Sequence, residues 1–292
     1  MKLGVSSYSF AGAVKSGQID YLDIPAKAAE IGFDEIEFSA FILPDGETTS
    51  GFAEKVEKAC REAGIPIANY TIAGDLLGGS EGILADEIQR LKGEVDVAAI
   101  LGSPGMRHDA AWRIPAGYPH YTGFDDVLPR LAEGCRGVTE YAAGLGIKTM
   151  VENHGQFAQE SSRVEKLVRT VAHDNFGVLM DIGNFICADE DPIVAAGRLM
   201  PYATHVHAKD MHWKSGNEID PGEGWSLSRG GNYWRGAIAG HGDVDLFQVI
   251  KKLKEVGYHG TLSIEFEGLE DSIKGIKIGY ANLRRFLAMI GT

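Results

Sequence analysis

The chain has 292 residues, 44% of them hydrophobic and 24% charged, a composition that supplies a large core and argues against a disordered chain. Its formal net charge of −13 disfavours sequence-independent binding to nucleic acid, because an acidic chain repels phosphate backbones. Three widely spaced cysteines without CxxC spacing, a start without a signal-peptide pattern and the lack of a run of membrane-spanning length predict a cytoplasmic protein with free thiols and no membrane partner.

Glycines that follow helical patterns mark a rhythm that recurs along the chain. Gly32, Gly64, Gly146 and Gly257 each end a helical pattern, and a run that reads as a strand follows within two or three residues. Glycine is favoured at this position because it enters the left-handed region without strain. Each junction is therefore the αβ half of a βαβ unit.

Two sets of alternating elements follow from this rhythm. Strands are predicted at Lys2–Ser7, Glu35–Ser39, Ile65–Tyr70, Ala98–Leu101 running into Met106–His108, Thr149–Glu152, Gly177–Asp181, Ala203–Lys209 and Thr261–Glu267. Helices are predicted at Gly51–Ala63, Gly82–Leu101, Phe124–Leu145, Ser161–His173, Asp191–Met200 and Val244–Val256. Eight strands that alternate with helices favour a single closed (β/α)8 TIM barrel of the α/β class over residues 1–292. An open doubly wound sheet is the alternative, although the first βα turn has no GxGxxG run.

One connection, from Met211 to Gly242 between the seventh and eighth strands, is unusually long. Loops of this length inside compact domains are usually functional or disordered, and Trp213, Trp225 and Trp234 indicate an ordered loop that packs. Because it lies on the C-terminal face, where the active sites of barrels are built, we predict a lid or a wall of the substrate site. A dimer contact is the alternative.

Four of the predicted strands end in a side chain that binds metals. Glu152, Asp181, His207 and Glu265 close the fifth to eighth strands, and burying such groups is costly unless a partner or a metal compensates. Alternate residues of a barrel strand point inward, so the four are expected to meet around one divalent cation. Without a thiolate, the set does not choose among Mn2+, Mg2+, Co2+, Fe2+ and Zn2+. Taken singly, each has a structural alternative: a buried salt bridge for Glu152, a helix cap for Asp181, a core histidine for His207, and a supporting carboxylate for Glu265 or Glu267.

Four further polar residues near the strand ends are candidate partners for the hydroxyl or phosphate groups of a substrate. They are His108, His154, Lys209 and Glu267. A role on the surface or behind the ligands is the alternative for each of them. His205, which alternates with His207, is predicted to pack one layer lower in the barrel.

At these motifs the chain resembles the xylose isomerase-like TIM-barrel superfamily of sugar epimerases and isomerases. The resemblance covers nearly the whole chain, and it is carried by Val151–His154, Met180–Asn184, His205–Asp210, Gly240–Asp245 and Ser263–Glu267. It implies that the four metal ligands are Glu152, Asp181, His207 and Glu265. In ketose 3-epimerases such as D-tagatose 3-epimerase the two glutamates are also the acid/base pair, which implies catalytic roles for Glu152 and Glu265.

The resemblance also bears on assembly and on the nuclease branch of the superfamily. Relatives form dimers or tetramers, which implies a homodimer or a homotetramer. Many relatives carry a histidine where this chain has Asn184, and the third strand offers Asn69 and Tyr70. Both features weaken an endonuclease IV-like interpretation, because that branch uses extra histidines for a multi-metal site.

The resulting hypothesis is a metal-dependent epimerase or isomerase acting on a keto-sugar or a sugar phosphate. Lewis-acid polarisation of a carbonyl stabilises an enediolate when the neighbouring proton leaves, and Glu152 and Glu265 would remove and return that proton. The alternative is a lyase that eliminates a β-hydroxyl group from a keto-sugar or an inosose, with Lys209 assisting the leaving group. A nuclease is disfavoured by the net charge, and a non-catalytic sugar-binding protein would leave two buried glutamates without a task.

Overall fold

Eight parallel strands close into a barrel in the computed structural model, which describes residues 1–291. The strands in this part of the chain are β1 (Lys2–Ser6), β2 (Glu35–Ser39), β3 (Ile67–Ile72), β4 (Gly105–His108), β5 (Lys148–Glu152), β6 (Phe176–Asp181), β7 (Ala203–His207), β8 (Asp210–Lys214), β9 (Ser226–Leu227), β10 (Tyr233–Ala237) and β11 (Thr261–Ile264). Around the barrel the order is β1, β2, β3, β4, β5, β6, β7 and β11, and β11 pairs with β1. This closed order confirms the predicted (β/α)8 barrel, and the alternative of an open sheet is wrong.

Helices occupy the connections between the barrel strands. In residues 1–291 the α-helices are α1 (Ala11–Lys15), α2 (Ile24–Ile31), α3 (Thr49–Ala63), α4 (Leu84–Ile100), α5 (Phe124–Gly144), α6 (Ser161–Val171), α7 (Asn184–Cys187), α8 (Pro192–Leu199), α9 (Leu246–Glu255) and α10 (Ser272–Met289). Gly32 and Gly64 follow α2 and α3 with φ angles of 107° and 68°, the left-handed conformation that closes a helix. Within the same residues, no helix combines the length and the apolar composition needed to span a bilayer.

Some boundaries differ from the sequence prediction. The run Ala98–Leu101 is wrong as a strand, because it forms the end of α4 and the residue that caps it. A short apolar run of this kind does not by itself distinguish a buried helix from a buried strand. The strands β7 and β11 also end before their predicted last residues, so that Lys209, Glu265 and Glu267 lie in the loops at the C-terminal mouth of the barrel.

Glycines leave the interior of the barrel open to polar side chains from neighbouring strands. A Cβ atom at Gly4 would lie 2.7 Å from Ser263 Oγ, and one at Gly105 would lie 2.9 Å from Asn69 Oδ1. The room that these glycines provide is used by a polar layer in which Glu37 and His205 are buried. This layer lies one inward-facing position nearer to the N-terminal end of the barrel than the residues that end β5, β6 and β7.

The long connection contains a small antiparallel sheet that we call the capping sheet, formed by β8, β10 and β9 in that order. The turn between β9 and β10 contacts the loops that follow two barrel strands. Arg229 forms an ion pair with Glu160 after β5, and Ser228 Oγ donates a 2.6 Å hydrogen bond to Asp189 after β6. The capping sheet therefore lies on the C-terminal side of the barrel, and its role as a lid or a wall stays a prediction.

One buried carboxylate ties both ends of the capping sheet to the barrel. Asp210 begins β8 and accepts hydrogen bonds from the backbone N–H groups of Met211, Gly240, Gly242 and Val244, at 2.8 to 3.2 Å. Three of these donors belong to the motif at residues 240–245 noted in the sequence. Burial raises the pKa of Asp210, although these hydrogen bonds act in the opposite direction.

Candidate metal centre and substrate cleft

Glu152, Asp181, His207 and Glu265 come together at the C-terminal mouth of the barrel. One ligand atom from each lies within 4.8 Å of the other three. The first three are the last residues of β5, β6 and β7, and Glu265 directly follows β11, so adjacent barrel strands present these side chains to one point. Three of the side chains are at most 1% exposed, and that of Glu265 is 13% exposed.

Two buried polar atoms of this cluster have no hydrogen-bond partner within residues 1–291, namely His207 Nδ1 and Asp181 Oδ2. Nδ1 lies 3.5 Å from Asp181 Oδ2, 3.5 Å from Glu265 Oε2 and 3.9 Å from Glu152 Oε1. A buried polar atom without a partner costs about 1–3 kcal/mol, and a cation among these four atoms would satisfy both. Three carboxylates and one imidazole suit a divalent cation. The residues therefore fit a single metal ion.

Asp181 combines the two roles that the sequence left open. Its Oδ1 accepts a 2.9 Å hydrogen bond from the backbone N–H of Asn184, the first residue of α7, as a helix cap does. Its Oδ2 faces the other three side chains and is the atom without a partner. The cap fixes the rotation of the carboxylate and so directs the second oxygen toward the cluster.

Glu37 on β2 fixes the orientation of the His207 ring from below. His207 Nε2 lies 2.8 Å from Glu37 Oε1, while His205 Nε2 lies 3.0 Å from Glu37 Oε2. When the ring is neutral and donates Nε2–H to the carboxylate, Nδ1 presents its lone pair to the cluster, which is the usual arrangement of a metal-binding histidine and its outer partner. His205 lies in the lower layer, where its Nε2 is also 2.9 Å from Ser263 Oγ.

A second group of residue types that bind metals lies directly beneath, formed by Glu37, His205 and His207. Here both carboxylate oxygens and both Nε2 atoms are already engaged with one another. A cation in this position would have to replace satisfied hydrogen bonds, whereas the upper cluster offers two unpaired atoms. The upper cluster is therefore the better candidate centre.

Two buried cations flank the upper cluster. Arg107 on β4 donates from Nε to Glu152 Oε2 at 2.5 Å, and Lys209 Nζ lies 2.6 Å from Glu265 Oε2 and 3.4 Å from Asp181 Oδ2. Asn184 Nδ2 donates to the other oxygen of Glu152 at 3.0 Å. The buried salt bridge that the sequence left open for Glu152 is thus present, on the side of the carboxylate that faces away from His207 Nδ1.

The flanking cations act to lower the pKa values of the glutamates in the cluster, and the carboxylates in turn raise the pKa of Lys209. Burial raises the pKa of Glu152, and Arg107 offsets only part of this effect. Burial also acts to raise the pKa of Glu265, but Lys209 and His207 outweigh it and hold that pKa well below the usual range. The pKa of Lys209 is held well above its usual value, because its neighbouring carboxylates outweigh the effect of burial. Glu152 is therefore the more basic of the two glutamates.

A cleft of about 350 Å3 opens beside the cluster, and Glu265 is the one of the four proposed ligands that lines it. Its walls include His154 and Glu267, two of the residues predicted to contact a substrate, together with Glu265. Lys209, a third, is buried and lies 3.3 Å from Glu267 Oε1. His154 Nδ1 lies 2.9 Å from Asp109 Oδ1, so its other ring nitrogen is the one available to the cleft.

His108, the fourth predicted contact, does not line this cleft. It is fully buried, its Nδ1 lies 2.9 Å from the carbonyl oxygen of Asp109, and its ring faces Phe176 at 6.4 Å between ring centroids. Side chains alternate along a strand, and Arg107 takes the inward position on β4, so His108 points into the layer between strands and helices. The structure thus contradicts the placement of His108 at the mouth.

Sequence reasoning missed Glu37, Arg107 and Asp109 as parts of the site. Glu37 interrupts the otherwise apolar centre of β2, and a buried mid-strand carboxylate is a signal that could have identified it. Arg107 and His108 are adjacent polar residues on a four-residue strand, which is too short to reveal which of them faces inward.

Comparison with known proteins places this geometry among related barrels. Residues 25–286 match the family model for the xylose isomerase-like TIM barrel. Among curated proteins, an inosose dehydratase of Lacticaseibacillus casei is 26% identical over 164 residues, which cover 56% of this chain and 53% of that protein. The chain thus spans about half the length of the curated relatives that it matches.

Solved structures share the fold over nearly the whole chain. A xylose isomerase domain protein from Planctomyces limnophilus has a TM-score of 0.73 at 21% identity, with 99% of this chain and 96% of that chain covered. An L-ribulose 3-epimerase has a TM-score of 0.72 at 17% identity, with 99% and 95% covered. A xylose isomerase-like TIM barrel protein from Mycobacterium smegmatis in complex with magnesium has a TM-score of 0.71 at 16% identity, with 100% and 98% covered. At these identities the likeness shows the fold.

Proposed function

The chain belongs to the xylose isomerase-like TIM barrel family, and from this premise we propose that it is a divalent-metal-dependent epimerase or isomerase of a keto-sugar. One observation carries the proposal: His207 Nδ1 and Asp181 Oδ2 are buried without hydrogen-bond partners, beside Glu152 at the end of β5 and Glu265 directly after β11. Mg2+ and Mn2+ are the cations to test first, because hard carboxylates dominate the ligand set.

Glu152, Asp181, His207 and Glu265 would hold the metal ion, which when bound supplies Lewis-acid polarisation of a carbonyl oxygen. Glu152 and Glu265 belong to β5 and to the loop after β11, on different sides of His207. One of them removes the proton next to the carbonyl, and the other returns a proton. Return to the same carbon from the opposite face gives epimerisation. Return to the former carbonyl carbon, with transfer of the neighbouring hydroxyl proton to the former carbonyl oxygen, gives isomerisation. Acid/base help of this kind contributes about 10²–10⁴-fold.

His154 and Glu267 would bind substrate hydroxyl groups at the wall of the cleft, and Lys209 would act from beneath it. The proposal includes a small-molecule sugar as partner, no nucleic acid, a cytoplasmic location and assembly as a homodimer or homotetramer. It does not extend to a nuclease, because carboxylates line the cleft and the net charge is −13.

The decisive test is Glu152→Gln in the metal-loaded protein. Turnover of the keto-sugar and exchange of its C–H group with D2O should both fall by at least about 10²-fold, whereas the far-UV circular dichroism should be unchanged. Removal of the metal by a chelator should abolish the same exchange, and Mg2+ or Mn2+ should restore it. Full activity of Glu152→Gln or of the metal-stripped protein would contradict the proposal.

A dehydratase is the second candidate, and the position of Lys209 favours it. Its ammonium group lies 2.6 Å from Glu265 and 3.3 Å from Glu267, so a positive charge that could stabilise a departing hydroxyl group stands beside the proposed base. The 26% identical relative from Lacticaseibacillus casei is an inosose dehydratase. Mass spectrometry of the product separates the candidates, because loss of water lowers the mass by 18 Da whereas epimerisation leaves it unchanged.

A further inference from the structure

We propose that the cleft selects uncharged polyhydroxylated ketones and discriminates against phosphate esters and carboxylates. This inference rests on the proposed function, because it concerns the same cleft. It adds the charge class of the substrate, which the ligand set alone does not determine.

Arg107 is not free to bind an anion. It is the one arginine or lysine among the residues from 1–291 that line the cleft. Its Nε donates to Glu152 at 2.5 Å, its Nη1 donates to the carbonyl oxygen of Ile72 at 3.1 Å, and its Nη2 lies 3.4 Å from Asp109. A phosphate group that made a two-point contact with this guanidinium would have to displace a carboxylate that is already paired with it, and that carboxylate would then lack its counter-charge.

Lys209 and His154 are neutralised in the same way. Lys209 Nζ has three N–H groups and four acceptors within 3.4 Å, namely carboxylates of Asp181, Glu265 and Glu267 and the side-chain oxygen of Asn184. His154 is held by Asp109 at 2.9 Å. Each basic group near the cleft thus already faces at least one carboxylate.

The carboxylates outnumber the basic groups. Three carboxylates line the cleft, those of Asp109, Glu265 and Glu267, beside two basic groups, those of Arg107 and His154. A divalent cation would add two positive charges, but its proposed ligands include three carboxylates. A phosphate or carboxylate substituent would therefore meet more carboxylates than basic groups, none of which is free of a carboxylate partner, and a like-charge contact is unfavourable.

The uncharged groups of the wall complement a polyol. Tyr8, Ser39 and Thr71 contribute hydroxyl groups, which both donate and accept hydrogen bonds. Trp112 and Ile72 contribute apolar surface for the C–H faces of a sugar ring. A volume of about 350 Å3 is at the small end of small-molecule sites and suits a single ring or a short open chain.

The first test does not require knowledge of the sugar. The Mg2+-loaded protein is titrated with inorganic phosphate and followed by calorimetry and by ³¹P NMR. No saturable binding is expected at millimolar phosphate. Saturable binding that Arg107→Gln abolishes would reveal an anion site in the cleft and overturn the inference.

The second test compares matched pairs by C–H exchange in D2O: D-fructose with D-fructose 6-phosphate, and D-ribulose with D-ribulose 5-phosphate. The neutral ketose should exceed its ester in kcat/KM by about tenfold or more. Glu267→Gln should narrow this ratio, because it removes one negative charge from the wall. Glu62→Gln, on the outer surface of α3 with a side chain 67% exposed, should leave the ratio unchanged.

A phosphate ester that is turned over as well as its neutral partner, or better, would overturn the inference and leave the proposed chemistry intact. Failure of every ketose to exchange counts against the proposed function, and in that case the phosphate titration still decides the charge selectivity of the cleft.

Discussion

Glu37→Gln is expected to weaken metal binding although it replaces none of the four proposed ligands. The carboxylate is fully buried and holds His207 Nε2 at 2.8 Å and His205 Nε2 at 3.0 Å. Burial disfavours its charge, but His207 and His205 outweigh this effect and hold the pKa of Glu37 far below its usual range, so the carboxylate is ionised. Glutamine keeps the shape, loses the charge and retains one acceptor oxygen for two imidazoles.

The magnitude follows from this loss. A hydrogen bond to a charged group contributes about 1.5–3 kcal/mol and one between neutral groups about 0.5–1.5, so the His207 contact should weaken by about 1–2 kcal/mol. Outer partners of metal-binding histidines typically change affinity by about 10–100-fold, which agrees with this range. We therefore expect the Kd for Mn2+ to rise by at least about tenfold.

The assay is calorimetric titration with Mn2+, with circular dichroism as the check on folding. Glu35→Gln is the matched control, because Glu35 lies on the same strand but faces Lys2 and Thr261 at the opposite end of the barrel. The affinity of the Glu35→Gln variant for Mn2+ should stay within about twofold of the affinity of the unmodified chain. Wild-type affinity in a folded Glu37→Gln variant, or an equal loss in both variants, would refute the reasoning.

Three further predictions address the buried charges. Lys209→Met should lower the free energy of unfolding of the metal-free protein by about 3–5 kcal/mol, because it leaves buried carboxylates without their cation, and Mg2+ should recover most of this loss. Lys166→Met, at an ion pair exposed to solvent, is the control and should change the free energy of unfolding in urea by less than about 1 kcal/mol. Metal binding at pH 7 should release protons, because burial acts to lower the pKa of His207 but Glu37 and Glu265 outweigh it and hold that pKa well above its usual value, so affinity should fall as the pH decreases. Calorimetry in buffers of different ionisation enthalpy measures this release, and binding without it would contradict the assignment. Asp210→Asn should reduce the free energy of unfolding by about 1–3 kcal/mol, since an amide places N–H groups against backbone donors, and a change below about 0.5 kcal/mol would contradict this account.

The features predicted best from the sequence were those that depend only on residues within a single strand. Glu152, Asp181 and His207 stand at the ends of apolar runs, and parallel strands in a closed barrel must bring their C-terminal ends to one rim. That rule also located Glu265, although the strand ends one residue before it. Both the barrel and the meeting of these four residues were therefore accessible without coordinates.

The features that were missed depend on contacts between distant segments. Glu37 approaches His207 only because β2 and β7 face each other across the barrel interior, and a sequence carries no direct signal of that register. Arg107 was missed because a four-residue strand does not reveal its inward side, and the same ambiguity led to the wrong placement of His108. The capping sheet was missed because its strands mix glycine, charged and aromatic residues without a regular alternation.

The clamp at Asp210 has a consequence for how the barrel can change over evolution. A single carboxylate holds both the first residue of the hairpin and the chain that re-enters the barrel, so the hairpin leaves and rejoins the barrel at one fixed point. Residues can be added, removed or exchanged around Ile219, which is 92% exposed, without altering the path of β7 or the start of α9. Lineages with this anchor can thus vary the exposed end of the hairpin while the four residues at the mouth of the barrel keep their positions.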